Sequence, residues 1–288
     1  MTNPMLNPQH VRETLRNLEV RPTRGMGQNF LIDKNALDTI VGAAHLTDQS
    51  VVVEVGPGLG VLTWELVRVA GTVTAIELDT RLANRLARVF ADAPNLTFVN
   101  QDVLQTDIAA LTAHKPYQVV ANLPYAITSP VLRHFLESAN PPTSMVVLVQ
   151  REVAQRICAQ PGDMSVLAHG IQVRAIPELV AIVPPESFFP APEVHSAVMR
   201  LTLRDTPLIE PEREAAVFRI LKAGFLHARK QLGNSLSGGL AAHGIKVERS
   251  DAQAALVAAG IDPVRRAETL SFVEWIAVAE KLVISYQS

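Results

Sequence analysis

Val51-Val52-Val53-Glu54-Val55, then Gly56-Pro57-Gly58-Leu59-Gly60, then the run from Val61 to Val69 is the stretch on which the fold turns. Four valines around one glutamate read as a buried strand. Three glycines and a proline read as a tight turn, and Val61 to Val69 carries apolar positions at helical spacing. Strand, turn and helix in that order predict an α/β protein with a Rossmann-like sheet, in which a turn at the carboxyl edge lets a ligand lie against backbone amides and a helix start. The spacing is G-x-G-x-G. The dinucleotide fingerprint requires G-x-G-x-x-G and would place its third glycine at Val61, so a nucleoside without a pyrophosphate fits better than a nicotinamide cofactor.

Reading onward, each following strand ends in a polar residue. Thr72 to Ile76 leads into Glu77-Leu78-Asp79, about 20 residues past the glycine turn, where an acid accepts ribose hydroxyls; this role is assigned to Glu77. Leu96 to Val99 leads to Asp102, an acceptor for an adenine amino group or merely an acid after a strand. Tyr117 to Ala121 leads to Asn122-Leu123-Pro124-Tyr125. The exocyclic amine of adenine is a poor nucleophile because its lone pair is delocalised into the ring, and hydrogen-bond acceptors draw that pair back onto nitrogen. The Asn122 side-chain oxygen and a carbonyl in the Leu123–Pro124 turn can each accept one N–H, with Tyr125 stacked on the base. Asparagine removes no proton at neutral pH, so the transferred group must be a strong electrophile such as a sulfonium methyl. Alone, the tetrapeptide reads equally well as a strand ending in an Asn-x-Pro turn with a core tyrosine. Four strand ends carrying these groups in sequence favour S-adenosylmethionine-dependent transfer to an amino group.

The flanks are less explicit. Val11, Leu15 and Leu18 predict a short helix or a loose arm over 1–24, with Arg12, Arg16, Arg21 and Arg24 as solvated cations or phosphate contacts. Asp33 is placed to cap a helix through Ile40. Ile171 to Ile176 and Leu179 to Val183 read as two extended segments around a Pro177 turn. Pro184 to Pro192 is a stiff loop on which Phe188 is expected either to stack exposed on the base opposite Tyr125 or to be a core residue pinned by proline. The expected divisions are an arm at 1–24, the methyltransferase domain at 25–205 and a small all-α domain at 206–288. Arg219, Lys222, Arg229, Lys230, Arg265 and Arg266 in that last part are candidate RNA contacts, although cations ending a helix also offset its dipole.

Composition sets limits. The 288 residues carry a net charge of −2, so any nucleic-acid surface must be local. No apolar run approaches the roughly 20 residues of a membrane span, and a start without an apolar block argues against a secretory signal. Cys158 is the single cysteine, which excludes an internal disulfide and a cysteine cluster for structural zinc; a cytoplasmic, monomeric protein is expected.

These stretches together resemble the ribosomal RNA adenine dimethyltransferase family, in its bacterial small-subunit branch. The likeness runs from Gly27-Gln28-Asn29-Phe30-Leu31 through the glycine turn, Glu77-Leu78-Asp79, Gln101-Asp102 and Asn122-Leu123-Pro124-Tyr125 to Phe188-x-Pro190-x-Pro192-x-Val194-x-Ser196. It continues at Ala228 to Leu236 and Gly260-Ile261-Asp262-Pro263-x-x-Arg266-Ala267-Glu268. The resemblance implies a class I methyltransferase sheet and S-adenosylmethionine contacts from Asn29, Leu31, Gly56, Gly58, Glu77, Asp102 and Asn122. It also implies dimethylation of two adjacent adenosines in the 3′-terminal hairpin of small-subunit rRNA, within a subunit assembly intermediate. The family's Arg-Arg-Lys-Thr is replaced here by Ala228-Arg229-Lys230-Gln231, and its Tyr-Gly pair before Met164 by Gly162-Asp163. Two rival readings are a large-subunit methyltransferase of the macrolide-resistance type and an assembly factor for which methylation is secondary.

Overall fold

The structure, a computed structural model, describes residues 3–20 and 29–282. Arg21, Arg24 and Gly25 to Gln28 lie outside the described residues.

Seven strands form the main sheet: β1 (Val51–Val55), β2 (Thr72–Glu77), β3 (Leu96–Asn100), β4 (Gln118–Asn122), β5 (Ser144–Gln150), β6 (Ala175–Val183) and β7 (Ser196–Leu203). Their spatial order is β3-β2-β1-β4-β5-β7-β6. β1 to β5 are mutually parallel, and β7 runs antiparallel to β5 with Gln150 opposite Ser196. The chain order reverses between β1 and β4, which opens a crevice at the carboxyl ends of those two strands. Near-continuous apolar runs build the centre: Val52, Val53 and Val55 of β1 and Val119, Val120 and Ala121 of β4 are all buried, as a sheet covered on both faces requires.

The chain folds as two compact units. One comprises residues to Ala154 with Ile176–Leu203, the other Gln155–Ala175 with Arg204 onward. This differs from a single boundary at 205, because 155–175 groups with the helical residues. The Gly162 and Met164 N–H groups both donate to the Glu268 carbonyl at 3.0 Å, which gives the Gly162-Asp163 loop a fixed place in the helical unit.

Two local expectations are corrected. Val166–Gln172 is a helix capped by Ser165, with Ile171 fully buried, and Ala175–Val183 is one continuous strand through Pro177. An edge strand has an unpaired side on which proline's missing N–H costs nothing, and this strand ends the sheet. Over residues 3–20 the opening segment takes the helical of its two expected readings. Helix Pro8–Asn17, capped by Asn7, joins Met5, Val11, Leu15 and Val20 to the core of the sheet unit. Asn3 anchors it by donating to the Val61 carbonyl at 2.9 Å.

In the helical unit, Pro211–Phe225, Leu232–Ala242, Arg249–Ala258 and Phe272–Lys281 surround the fully buried Trp275. Gly224 permits the close crossing, since a Cβ there would lie 2.3 Å from the Trp275 ring.

Candidate functional site

The strand register brings the expected groups to one edge. Val55 pairs with Ile76, Glu77 with Asn100, and Val52 and Val53 with Gln118 and Val119, so Glu77 and Asn122, the last residues of β2 and β4, and Gly56 and Asp102, just past β1 and β3, lie on the same side.

The glycine turn is built differently from the expectation of free amides. Gly56 N–H donates to the Ile76 carbonyl, Gly58 N–H to Glu77 Oε2 at 3.0 Å, and Gly60 N–H to the Pro57 carbonyl. With those amides satisfied within the protein, the turn offers a ligand a surface without Cβ atoms rather than a row of donors. Gly60 has φ +85°, and a Cβ on it would meet Leu86 at 2.7 Å and Phe90 at 2.9 Å. Glycine is therefore required where helix Val61–Val69 starts.

Glu77 is buried and accepts from Gly58 and, through Oε1, from the Asp79 N–H at 2.9 Å. Burial raises its pKa, while these two backbone donors oppose the shift. Each carboxylate oxygen keeps a lone pair for a further hydrogen bond. Asp102 is partly exposed and spends Oδ1 on the Leu104 N–H at 2.9 Å, which caps a short 3-10 turn and leaves Oδ2 for another donor.

Asn122 carries the central geometry. Its Nδ2 donates to the Asn29 main-chain carbonyl at 3.3 Å, which orients the carboxamide and frees Oδ1 to accept. The Pro124 carbonyl already receives the Ile127 N–H at 3.1 Å, so the Leu123 carbonyl is the acceptor left in the turn. Leu123 is buried and its N–H is tied to the Leu148 carbonyl at 3.1 Å. Tyr125 is half-buried, its phenol 2.6 Å from Ser196 Oγ.

Phe188 does not present an exposed ring. It is 3% exposed because the pairs Phe30 with Phe189 and Leu31 with Phe188 form a two-stranded ribbon that turns Phe188 into the core. Phe189 is the more open ring, and the Arg12 guanidinium lies 5.3 Å from its centroid, a cation–π contact.

Glu54 is a further residue at this edge, signalled in the sequence by a lone carboxylate among valines. Its Oε2 accepts from the Thr63 hydroxyl at 2.7 Å, and its buried Oε1 has no partner among the described residues. Desolvation pushes its pKa up to about 8. Glu54 lines a cavity of about 20 Å³ together with Asn122, Leu31, Phe30, Pro57 and, from the opening segment, Met5 and Val11. That is room for roughly one water.

Of the candidate RNA contacts, Arg219, Lys222, Arg229, Lys230 and Arg266 are exposed. The Gln231–Arg266 bridge and the Leu232 N–H to Arg265 carbonyl bond at 2.8 Å bring the 265–266 pair beside the 229–230 pair. Arg265 is employed otherwise: its guanidinium spans both oxygens of Glu274 and also donates to the Thr269 carbonyl.

The strand order, glycine turn and edge acids define a class I methyltransferase with a helical extension. The chain belongs to the ribosomal RNA adenine dimethylase family, whose model matches residues 21–279. As a member it is an enzyme that uses S-adenosylmethionine to dimethylate adenine in ribosomal RNA. The chain is 42% identical over 276 residues to ribosomal RNA small subunit methyltransferase A of a Dehalococcoides mccartyi strain, covering 96% of this chain and 92% of the relative. With the protein of that name from Desulfitobacterium hafniense the identity is 44% over 262 residues, 90% of this chain and 92% of the relative. Among solved structures, the 23S rRNA methyltransferase ErmE gives a TM-score of 0.71 at 30% identity over 88% of this chain and 99% of that one. A Plasmodium falciparum dimethyladenosine transferase shares the fold at a TM-score of 0.72 and 22% identity, over 86% and 95% of the two chains.

Proposed function

We propose that this enzyme dimethylates N6 of two adjacent adenosines in the 3′-terminal hairpin of small-subunit ribosomal RNA, acting in the cytoplasm as a monomer on an assembly intermediate. The observation that carries the chemistry is the Asn122 carboxamide, locked by Asn29 with its oxygen free at the sheet edge. The small-subunit assignment rests on relatives so named at 42–44% identity, against 30% for the large-subunit enzyme.

In this reading Asn29, Leu31, Gly56, Gly58, Glu77 and Asp102 hold S-adenosylmethionine, Glu77 by the ribose hydroxyls and Asp102 by the adenine amine. When bound, the donor supplies an electrophilic methyl on sulfonium. The target adenine would be flipped from its stack onto Tyr125, and Asn122 Oδ1 with the Leu123 carbonyl would accept from its amine and orient the nitrogen toward the donor's methyl. A monomethylated amine, its surplus proton given up to solvent, has one N–H, which Asn122 Oδ1 alone would accept. Pro124 fixes the turn that carries these groups. Arg219, Lys222, Arg229, Lys230 and Arg266 contact phosphate, and Arg265 holds the loop that presents Arg266.

Mass spectrometry of ribosomal RNA from immature small subunits, incubated with the protein and labelled S-adenosylmethionine, tests the assignment. Four methyl groups on two neighbouring adenosines of the 3′ hairpin are expected. Label confined to large-subunit RNA would replace this reading with the macrolide-resistance one.

A further inference from the structure

We infer that Ser196 is a positioning residue for methyl transfer: its hydroxyl holds the Tyr125 ring by the phenolic oxygen in the attitude on which the target adenine stacks. The inference rests on the reading of Tyr125 as the stacking ring.

Tyr125 opens the 3-10 turn Tyr125–Ile127, and Pro124 before it supplies no side-chain cap. On the amino side the turn is tied to the sheet by Leu123 N–H to the Leu148 carbonyl, at 3.1 Å. At the other end the phenol meets Ser196 Oγ at 2.6 Å, a contact between residues 71 positions apart. Ser196 is the first residue of β7, fully buried, and opposite Gln150 of β5. The Arg151 N–H also donates to the His195 carbonyl at 3.0 Å, so the residue beside Ser196 is fixed too.

The position of Ser196 therefore belongs to the sheet, and it sets the far end of a ring whose near end is set by β4. Burial raises the phenol's pKa, so the group stays protonated through the neutral range and available as donor or acceptor. The Ser196 hydroxyl is fully buried, and leaving it without a partner would be costly, so it depends on the Tyr125 phenol. Ser196 acts through Tyr125 and is assigned no contact with the reacting atoms.

The test is single-turnover methylation of undermethylated small ribosomal subunits with S-adenosylmethionine in excess, using Ser196→Ala, Tyr125→Phe, the double variant and Tyr125→Ala. Tyr125→Phe keeps the stacking ring and guards against a folding defect. Ser196→Ala and Tyr125→Phe are each expected to slow transfer by about tenfold, on the order of one net hydrogen bond. The double variant should be slower by the same factor, since both changes remove one interaction, and donor affinity by calorimetry should stay within about twofold. A wild-type rate in Ser196→Ala, losses that multiply in the double variant, or donor affinity falling in step with rate would each overturn the assignment. An undiminished rate in Tyr125→Ala would instead sink the stacking reading.

Discussion

The Thr63 hydroxyl donates to Glu54 Oε2 at 2.7 Å while the other oxygen of the same buried carboxyl has no partner among the described residues. A carboxyl with one bond and no cation in apolar surroundings keeps its proton, and its pKa stands at about 8.

The consequence is a pH dependence with a definite sign. Glu54 binds its proton more tightly folded than unfolded, so its contribution is fully present below pH 4.5 and is lost as pH rises through about 8. Glu54→Gln keeps a group for Thr63 without the charge. Thermal melts without donor should show the variant gaining on the wild type as pH rises from 5 to 9, by roughly 4 kcal/mol at the top of that range. Parallel curves for the two proteins would contradict the account.

The helical unit titrates with the opposite trend. His169 is fully buried against Phe225 and Phe272, neither ring nitrogen has a hydrogen-bond partner among the described residues, and burial pulls its pKa down to about 4. The unfolded chain takes up this proton more readily, so stability is complete above pH 6.5 and falls as pH drops toward 4. The difference is roughly 3 kcal/mol. His169→Leu should flatten the acid limb of stability between pH 6.5 and 4, as read by urea titrations at each pH.

Neighbouring arginines in the 265–266 pair should separate cleanly. Arg265→Ala breaks the Glu274 and Thr269 contacts and should lower stability by about 1–3 kcal/mol in denaturant titration. Arg266 is exposed, with Glu268 only 3.8 Å away. Arg266→Ala should leave stability unchanged and reduce the slope of log affinity for RNA against log salt by about 0.7 to 0.9.

Much of this was legible because the decisive signals are local. Val51 to Val69 carries a change from buried strand to glycine turn to helix within one window, and the acids that follow sit at successive strand ends. Asn122 could be placed at the edge because parallel strands put their carboxyl ends together. What could not be read depends on distant pairing. Phe188 turns inward because Leu31 pairs with it, and Pro177 is tolerated within a strand because that strand ends the sheet. Residues 155–175 group with the helical unit partly through bonds to the Glu268 carbonyl. Met5 and Val11 close on the Glu54 cavity through tertiary packing, although the helical spacing of Val11 and Leu15 was visible.

The measurement that bears most directly on the whole is single-turnover methylation by Asn122→Ala, paired with calorimetric donor binding by the same variant. If the carboxamide oxygen holds the acceptor amine in line, transfer to immature small subunits should fall by about 10²-fold or more, while S-adenosylmethionine still binds. Transfer at the wild-type rate from a variant with intact donor binding would contradict the role given to Asn122, and with it the mechanism.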